Sequence, residues 1–322
     1  MQEKNTKEVR SMRNRKSWCS MLNLVLILSI FILAGCSTKS GVNTPSPVNP
    51  SSVNYPLTLT DQAGNKVTLD KQPKRIVSLA PSATEIAFAL GLNKEVVGVT
   101  TNDDYPAEVK KLPKVGDMNI NPEKVLELKP DLVLAAKLNG KETLDKLKKL
   151  GLKVLVLDAN NYKDVYRSIA LAGSATNRAF ESDEIIKNME QEKLALYRTV
   201  GQIPENQRVK VWIEISPQLH TTGKGTFIDE LVTLASGKNV ANGQQGWPQI
   251  SAEQVVKWNP DVIISTYGDT QGILKRKGFE NVTAVKNKRV VAVDQNLISR
   301  PGPRIWKGYK EIIKALYPDK VK

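Results

Sequence analysis

The chain has 322 residues, with 47 lysines and arginines against 33 acidic residues, for a net charge of +14. That length, 40% hydrophobic, suits about two domains with buried cores and excludes collagen-like and wholly disordered chains. Two cysteines and one histidine exclude a disulfide-stapled fold and most multidentate zinc or iron sites.

In chain order, Lys4, Lys7, Arg10, Arg13, Arg15 and Lys16 stand against only Glu3 and Glu8, and a largely apolar run, Met21–Ala34, follows. The run is too short to span a bilayer comfortably and has the flanks of a secretory signal. It closes on Leu33-Ala34-Gly35-Cys36, which resembles the lipobox of bacterial lipoproteins. The expectation is a signal peptide over 1–35, after which Cys36 is lipidated and anchors the chain outside the membrane. Residues 36–55, rich in Ser, Pro and Asn, cannot bury enough apolar surface to offset their ordering entropy and read as a flexible tether. The basic excess suits an anionic membrane surface. A nucleic-acid partner is set aside, because export places the chain outside and its cations are scattered rather than interleaved with aromatics.

A hairpin is expected over Leu57–Thr60 and Val67–Leu69, turning near Gly64-Asn65. Arg75–Leu79 reads as a strand, and Ser82-Ala-Thr-Glu85 as a capping box opening a helix that ends at Gly91. Val96–Val99, Asp131–Ala135 and Lys153–Leu157 read as strands, with helices over Asn121–Leu128 and Lys141–Leu150. From about Tyr162 to Gln202 there is no strand pattern, only one helix to about Gly173 and a long one from about Asn177 to Val200. Alternation then resumes: strand Val209–Ile215, helices Phe227–Ala235 and Ala252–Trp258, strands Asp261–Ser265 and Arg289–Val293, and a helix over Arg304–Tyr317. Apolar strands alternating with helices imply parallel sheets covered on both faces. The domains expected are an N-terminal α/β lobe over 56–160, bridging helices over 161–205 and a C-terminal α/β lobe over 206–322.

An internal echo supports two related lobes. Residues 121–135 align without gaps on 251–265, with Glu123/Glu253, Val125/Val255, Pro130/Pro260 and Asp131/Asp261 identical. Each glutamate follows an N-cap candidate, Asn121 or Ser251, where a carboxylate complements the helix dipole. The same repetition would let two lobes present one carboxylate each to a two-fold symmetric partner. His220, the only histidine, would have to serve any imidazole-based chemistry, including that of a lipid-anchored extracytoplasmic hydrolase. No G-x-S-x-G, P-loop or G-x-G-x-x-G motif accompanies it, and the sequence assigns no catalytic residue.

The segments Arg75-Ile-Val-Ser-Leu-Ala-Pro-Ser-Ala-Thr-Glu85, Asp104-Tyr-Pro106, the repeated Glu…Pro-Asp segments, Gly225-Thr-Phe-Ile-Asp-Glu-Leu231, Gly246-Trp-Pro-Gln249 and Arg300-Pro-Gly-Pro-Arg304 form one set. Together they resemble the solute-binding lipoproteins of ABC importers for iron complexes and cobalamin, in pattern closest to the cobalamin binders. The resemblance covers essentially 75–317. It implies the class III periplasmic-binding-protein fold, two Rossmann-like α/β lobes with parallel sheets joined by a single long helix, with the ligand held between the lobes. It further implies that Glu123 and Glu253 dock onto an ABC permease dimer served by ATPase subunits, and that Trp247 packs on a corrin ring with Arg300 in the cleft. Asn102, Asp117, Tyr267 and Asn296 complete the expected ligand contacts, Asn102, Asp117 and Ala136 standing where cobalamin binders carry aromatics. A ferric siderophore would call on Arg300, Arg304 and Lys137, and haem on His220 or Tyr267. No cofactor, no protein-bound metal and a monomeric carrier are expected.

Overall fold

The structure, a computed structural model, describes residues 53–321. Cys36, the signal over 1–35 and most of the tether lie outside the described residues. Its last residues are not loose: Val53 N donates to Asn177 Oδ1 at 2.8 Å and the Tyr55 hydroxyl to the Ala175 carbonyl at 3.0 Å. Folded contacts therefore begin earlier than the composition suggested.

Strands β1 (Leu57–Thr60) and β2 (Lys66–Leu69) form an antiparallel hairpin with Leu57 opposite Leu69. The Asp61 carboxylate ties its turn, accepting from Ala63 N and Asn65 N. The first lobe follows as β3 (Ile76–Ser78), α1 (Pro81–Ala89), β4 (Val96–Gly98), α2 (Pro122–Glu127), β5 (Leu132–Ala135), α3 (Lys141–Lys149) and β6 (Val154–Val156). Its sheet is parallel, in the order β4-β3-β5-β6.

Helices α4 (Tyr162–Thr176) and α5 (Ala179–Val200) make the connection. The chain turns between them at Asn177, whose left-handed φ of 58° an asparagine tolerates better than most residues. The second lobe comprises β7 (Lys210–Glu214), α6 (Phe227–Leu234), β8 (Lys238–Asn239), α7 (Ala252–Trp258), β9 (Val262–Ser265), α8 (Thr270–Leu274), α9 (Thr283–Lys286), β10 (Val290–Ala292), α10 (Gln295–Ser299) and α11 (Ile305–Leu316). Its parallel sheet runs β10-β9-β7-β8. By order of appearance within each lobe, both sheets read second-first-third-fourth, so the repeated segment occupies the same place in two copies of one topology.

The matched Pro-Asp pairs have a common structural cause. Asp131 Oδ2 accepts the backbone N–H groups of Lys74 and Arg75, and Asp261 Oδ2 that of Lys210. Each thereby ties the start of its own strand to the neighbouring one. Lys129 and Asn259, two residues earlier, share a left-handed φ of 46° and 47°.

Strand side chains alternate between two faces, and both are buried. Ile76, Leu132, Leu134 and Leu155 of the first sheet and Val211, Ile213, Val262 and Ile264 of the second join one core with α4, α5 and α11. Val77, Val133, Val154 and Val156 face a second cluster under α2 and α3. Trp212, Ile263 and Val290 face a third with Phe279. The two sheets thus share a core through the connecting helices, and both belong to one compact unit.

Candidate functional site: a cleft between the lobes

A cavity of about 300 Å³ opens between the lobes at the carboxyl ends of the strands, where open α/β sheets hold their ligands. One wall is the N-terminus of α1 (Pro81, Ser82) with Leu138 and the segment Leu157–Asn160; the other is Gly225–Ile228, Trp247 and Ser299–Pro301.

Helix α1 starts at Pro81, whose fixed φ and missing N–H suit the first helical position. Ala80 is therefore the N-cap, with no side-chain cap, and Ser82 sits inside the helix. This corrects the capping box: with Ala80 as N-cap its third position is Ala83, so Glu85 lies two residues too deep to reach back, and its carboxylate serves elsewhere. On the opposite wall, Thr226 caps α6 by accepting from Asp229 N. Asn239 of β8 holds the loop before it, donating to Thr222 O at 2.7 Å and Asp229 Oδ1 at 2.8 Å. Gly246 adopts a φ of 65° that an L side chain would resist. Its backbone bonds with Gly223 and Lys224, and the next residue, Trp247, stands in the cleft 53% exposed. Leu138, from the other lobe, is also 53% exposed there.

Beside the cavity the lobes are joined by ions. Arg300 Nη1 meets Glu85 Oε1 at 3.2 Å and Asp104 Oδ1 at 2.5 Å, while Nη2 donates to Asn102 O at 3.1 Å. Arg304 forks onto the same glutamate, Nε to Oε2 at 2.8 Å and Nη2 to Oε1 at 2.5 Å, and lies over the Tyr105 ring. Asn296 Nδ2 completes the cluster on Asp104 Oδ2 at 3.1 Å. Burial works to raise the Asp104 pKa, but the hydrogen bond and charge of Arg300 prevail and hold its carboxyl below the usual range.

Of the six expected ligand residues, Trp247 and Arg300 line the cavity. Asn102 and Asn296 gather with Arg300 in the ion cluster and lie outside the cavity lining. Asp117 sits apart on an exposed loop, accepting from Asn119 N. Tyr267 is turned inward: its hydroxyl donates to Glu214 Oε1 at 2.7 Å, and burial together with that carboxylate pushes its pKa up to about 12. His220 also lies outside the cavity lining, with Nδ1 and Ser216 Oγ 2.9 Å apart across one turn. Among the described residues there is no cluster of three or more His, Cys, Asp or Glu placed to hold a metal.

Glu214 was invisible in the sequence. It is fully buried at the end of β7 and receives Arg276 bidentately, at 2.7 and 2.9 Å. Glu214→Ala strands that guanidinium, only 21% exposed, and should cost about 3–5 kcal/mol. Chemical denaturation checks it, and a loss under about 1 kcal/mol would show that the pair contributes no more than a surface contact.

Glu123 and Glu253 occupy equivalent places, each the second residue of its helix, after the N-caps Asn121 and Ser251, whose side chains accept from Lys124 N and Gln254 N. Both are solvent-exposed. Bonds from the helix N-terminal backbone hold both carboxyls below the usual range, with Lys146, 3.5 Å away, adding to the effect at Glu123.

A family model described as periplasmic binding protein matches residues 76–297. The ABC transporter substrate-binding lipoprotein YvrC of Bacillus subtilis is 42% identical over 304 residues, 92% of this chain and 96% of the relative. A protein of Staphylococcus epidermidis of solved structure, described as a possible iron-binding (periplasmic solute-binding) protein, is 36% identical, with a TM-score of 0.67 over 77% of this chain and 100% of that one. The periplasmic vitamin B12-binding protein BtuF of Vibrio cholerae is 28% identical, with a TM-score of 0.68 over 76% of this chain and 96% of that one.

Proposed function

The chain belongs to the periplasmic binding protein family, and from that premise we propose that it captures a cobalamin-type ligand in the interlobe cleft and delivers it to its permease. It is the substrate-binding component of an ABC transporter, a transport protein rather than an enzyme. The observation that carries the ligand reading is the pair of large apolar side chains, Leu138 and Trp247, half-exposed in one cleft from opposite lobes. Exposed apolar area of this kind is retained where a ligand will cover it, and a broad macrocycle offers a face for an indole.

Charge supports the same reading. Among the described residues, Asp158 and Arg300 are the only charged ones of the lining. Each is already paired, Asp158 with Lys137 at 3.8 Å and Arg300 with Glu85 and Asp104. A polyanionic ferric catecholate would find no uncommitted cation in the lining. Haem would find no axial ligand, because the described lining contains no His, Tyr, Cys or Met. The description of the Vibrio cholerae relative as a vitamin B12-binding protein accords with this choice. Attachment through a lipidated Cys36 belongs to the same proposal and accords with the lipoprotein description of YvrC.

The test is a thermal-shift panel of cobalamin, cobinamide, a ferric hydroxamate, a ferric catecholate and haemin. Ligand at 100 times its Kd stabilises the native state by about 2.7 kcal/mol, so a corrinoid should raise the Tm clearly. A shift with haemin or a ferric complex, and none with either corrinoid, would replace the reading.

A further inference from the structure

We propose that Glu85, Asp104 and Arg304 are positioning residues that set the aperture of the cleft; the proposal rests on the cleft being the binding site. Glu85 and Asp104 belong to the first lobe and Arg300 and Arg304 to the second, and they meet across 196 to 219 residues of chain. The cluster is charge-balanced, two guanidiniums against two carboxylates. Its centre is dry: the Glu85 side chain is 2% exposed, and those of Arg300 and Arg304 are 13% and 15% exposed. Both Glu85 oxygens are occupied by the opposite lobe.

The members of this cluster are continuous with the cleft walls. Glu85 lies one turn beyond Ser82 on α1, so fixing Glu85 fixes the α1 wall. Arg300 is itself lining, and Arg304 immediately precedes α11. Helix α11 meets the connection a second time, where Trp306 packs on Tyr162 with ring centroids 5.7 Å apart. The Tyr162 N–H also donates to Glu230 of α6 at 2.8 Å. The second lobe is thus held at the connecting helices and again at the ion cluster, and the cavity lies against the latter.

A buried ion pair that loses one partner leaves a charge with a large hydration demand. In a two-lobed molecule that demand can be met by moving the walls apart, without unfolding either lobe. The cavity of about 300 Å³ is smaller than a corrinoid, so the spacing of the walls decides how much of the ligand is enclosed.

The experiment uses the full chain in detergent, with Cys19 and Cys36, its only cysteines, replaced by serine. Spin labels replace the exposed Lys110 and Lys257, one on each lobe, and electron–electron resonance reads the distance without ligand. Glu85→Gln should shift and broaden the distribution while circular dichroism stays native. Asp104→Asn, at a carboxylate 46% exposed, should shift it less in the same direction and guards against a Glu85 variant that fails to fold. In the unlabelled Glu85→Gln chain, cobalamin should dissociate about tenfold faster, a change equivalent to 1.4 kcal/mol. Unaltered distances in folded variants overturn the proposal. Failure of the unsubstituted chain to bind any corrinoid overturns the ligand reading instead and leaves the distance result standing.

Discussion

A chain carrying Glu123→Ala and Glu253→Ala together is expected to lose uptake of its ligand while binding that ligand in solution with unchanged affinity. Both side chains are exposed, neither lines the cleft, and each sits at the second position of a short helix in its own lobe. Their equivalence follows from the repeated topology, so any partner that meets one through an arginine can meet the other through a symmetry-related arginine. An exposed glutamate is ionised at physiological pH in any case, and the backbone bonds at the two helix N-termini shift both carboxyls further below their usual range, in the direction charge-assisted docking favours. Lys146 does not compete seriously for Glu123, because an exposed pair 3.5 Å apart contributes little. Losing two charge-assisted contacts at the permease should lower uptake by about two orders of magnitude. The single variants should fall between, since either lobe alone still offers one contact. Uptake measured in cells, beside equilibrium binding of the purified chain, separates docking from capture. Retained uptake would assign the glutamates to the helix dipole alone, and loss of binding would make them part of the fold's support.

The physics of what was legible is local. The Asn121–Leu128 and Ala252–Trp258 helices, the Pro-Asp pairs and the buried strands after them were readable because N-caps, turn residues and apolar runs act over a few residues. Their repetition at a constant offset carried the two-lobe architecture, and the common strand order bears it out. The two-residue strand β8 is too short to have a period, although its Asn239 locks the α6 wall. The short helices α8, α9 and α10 escaped for the same reason. Glu85 shows the opposite failure: a pattern was present but explained by the wrong neighbour. Ser-Ala-Thr-Glu satisfies a capping box, yet Pro81 starts the helix earlier and the carboxylate pairs with arginines 215 and 219 residues away. Such a pairing depends on how two lobes approach, which no local periodicity encodes. Tyr267 is expected to face a ligand, and its hydroxyl is given to Glu214: a buried carboxylate at a strand end claims the nearest donors, a pairing no local pattern announces.

Trp247→Ala should weaken ligand binding by about thirtyfold, the loss of roughly 2 kcal/mol typical of an aromatic anchor. The indole is held out by the Gly246 turn rather than packed into either lobe, so its removal leaves no cavity in the core and should leave the Tm of the free protein unchanged. Leu138→Ala, across the same cleft, removes a smaller apolar face and should cost about 1 kcal/mol, or fivefold. Fluorescence gives an independent check. Of the five tryptophans, Trp212 and Trp306 are fully buried and Trp18 lies outside the described residues. Trp247 is the one that lines the cleft, so a corrinoid should quench it first. Trp247→Phe keeps an aromatic face and should retain most of the affinity, but should lose most of the quenching. Binding by Trp247→Ala within about threefold of the unsubstituted chain would remove the indole from the site, and with it the argument for a broad apolar ligand. Unchanged quenching in Trp247→Phe would place the ligand near half-buried Trp258 instead.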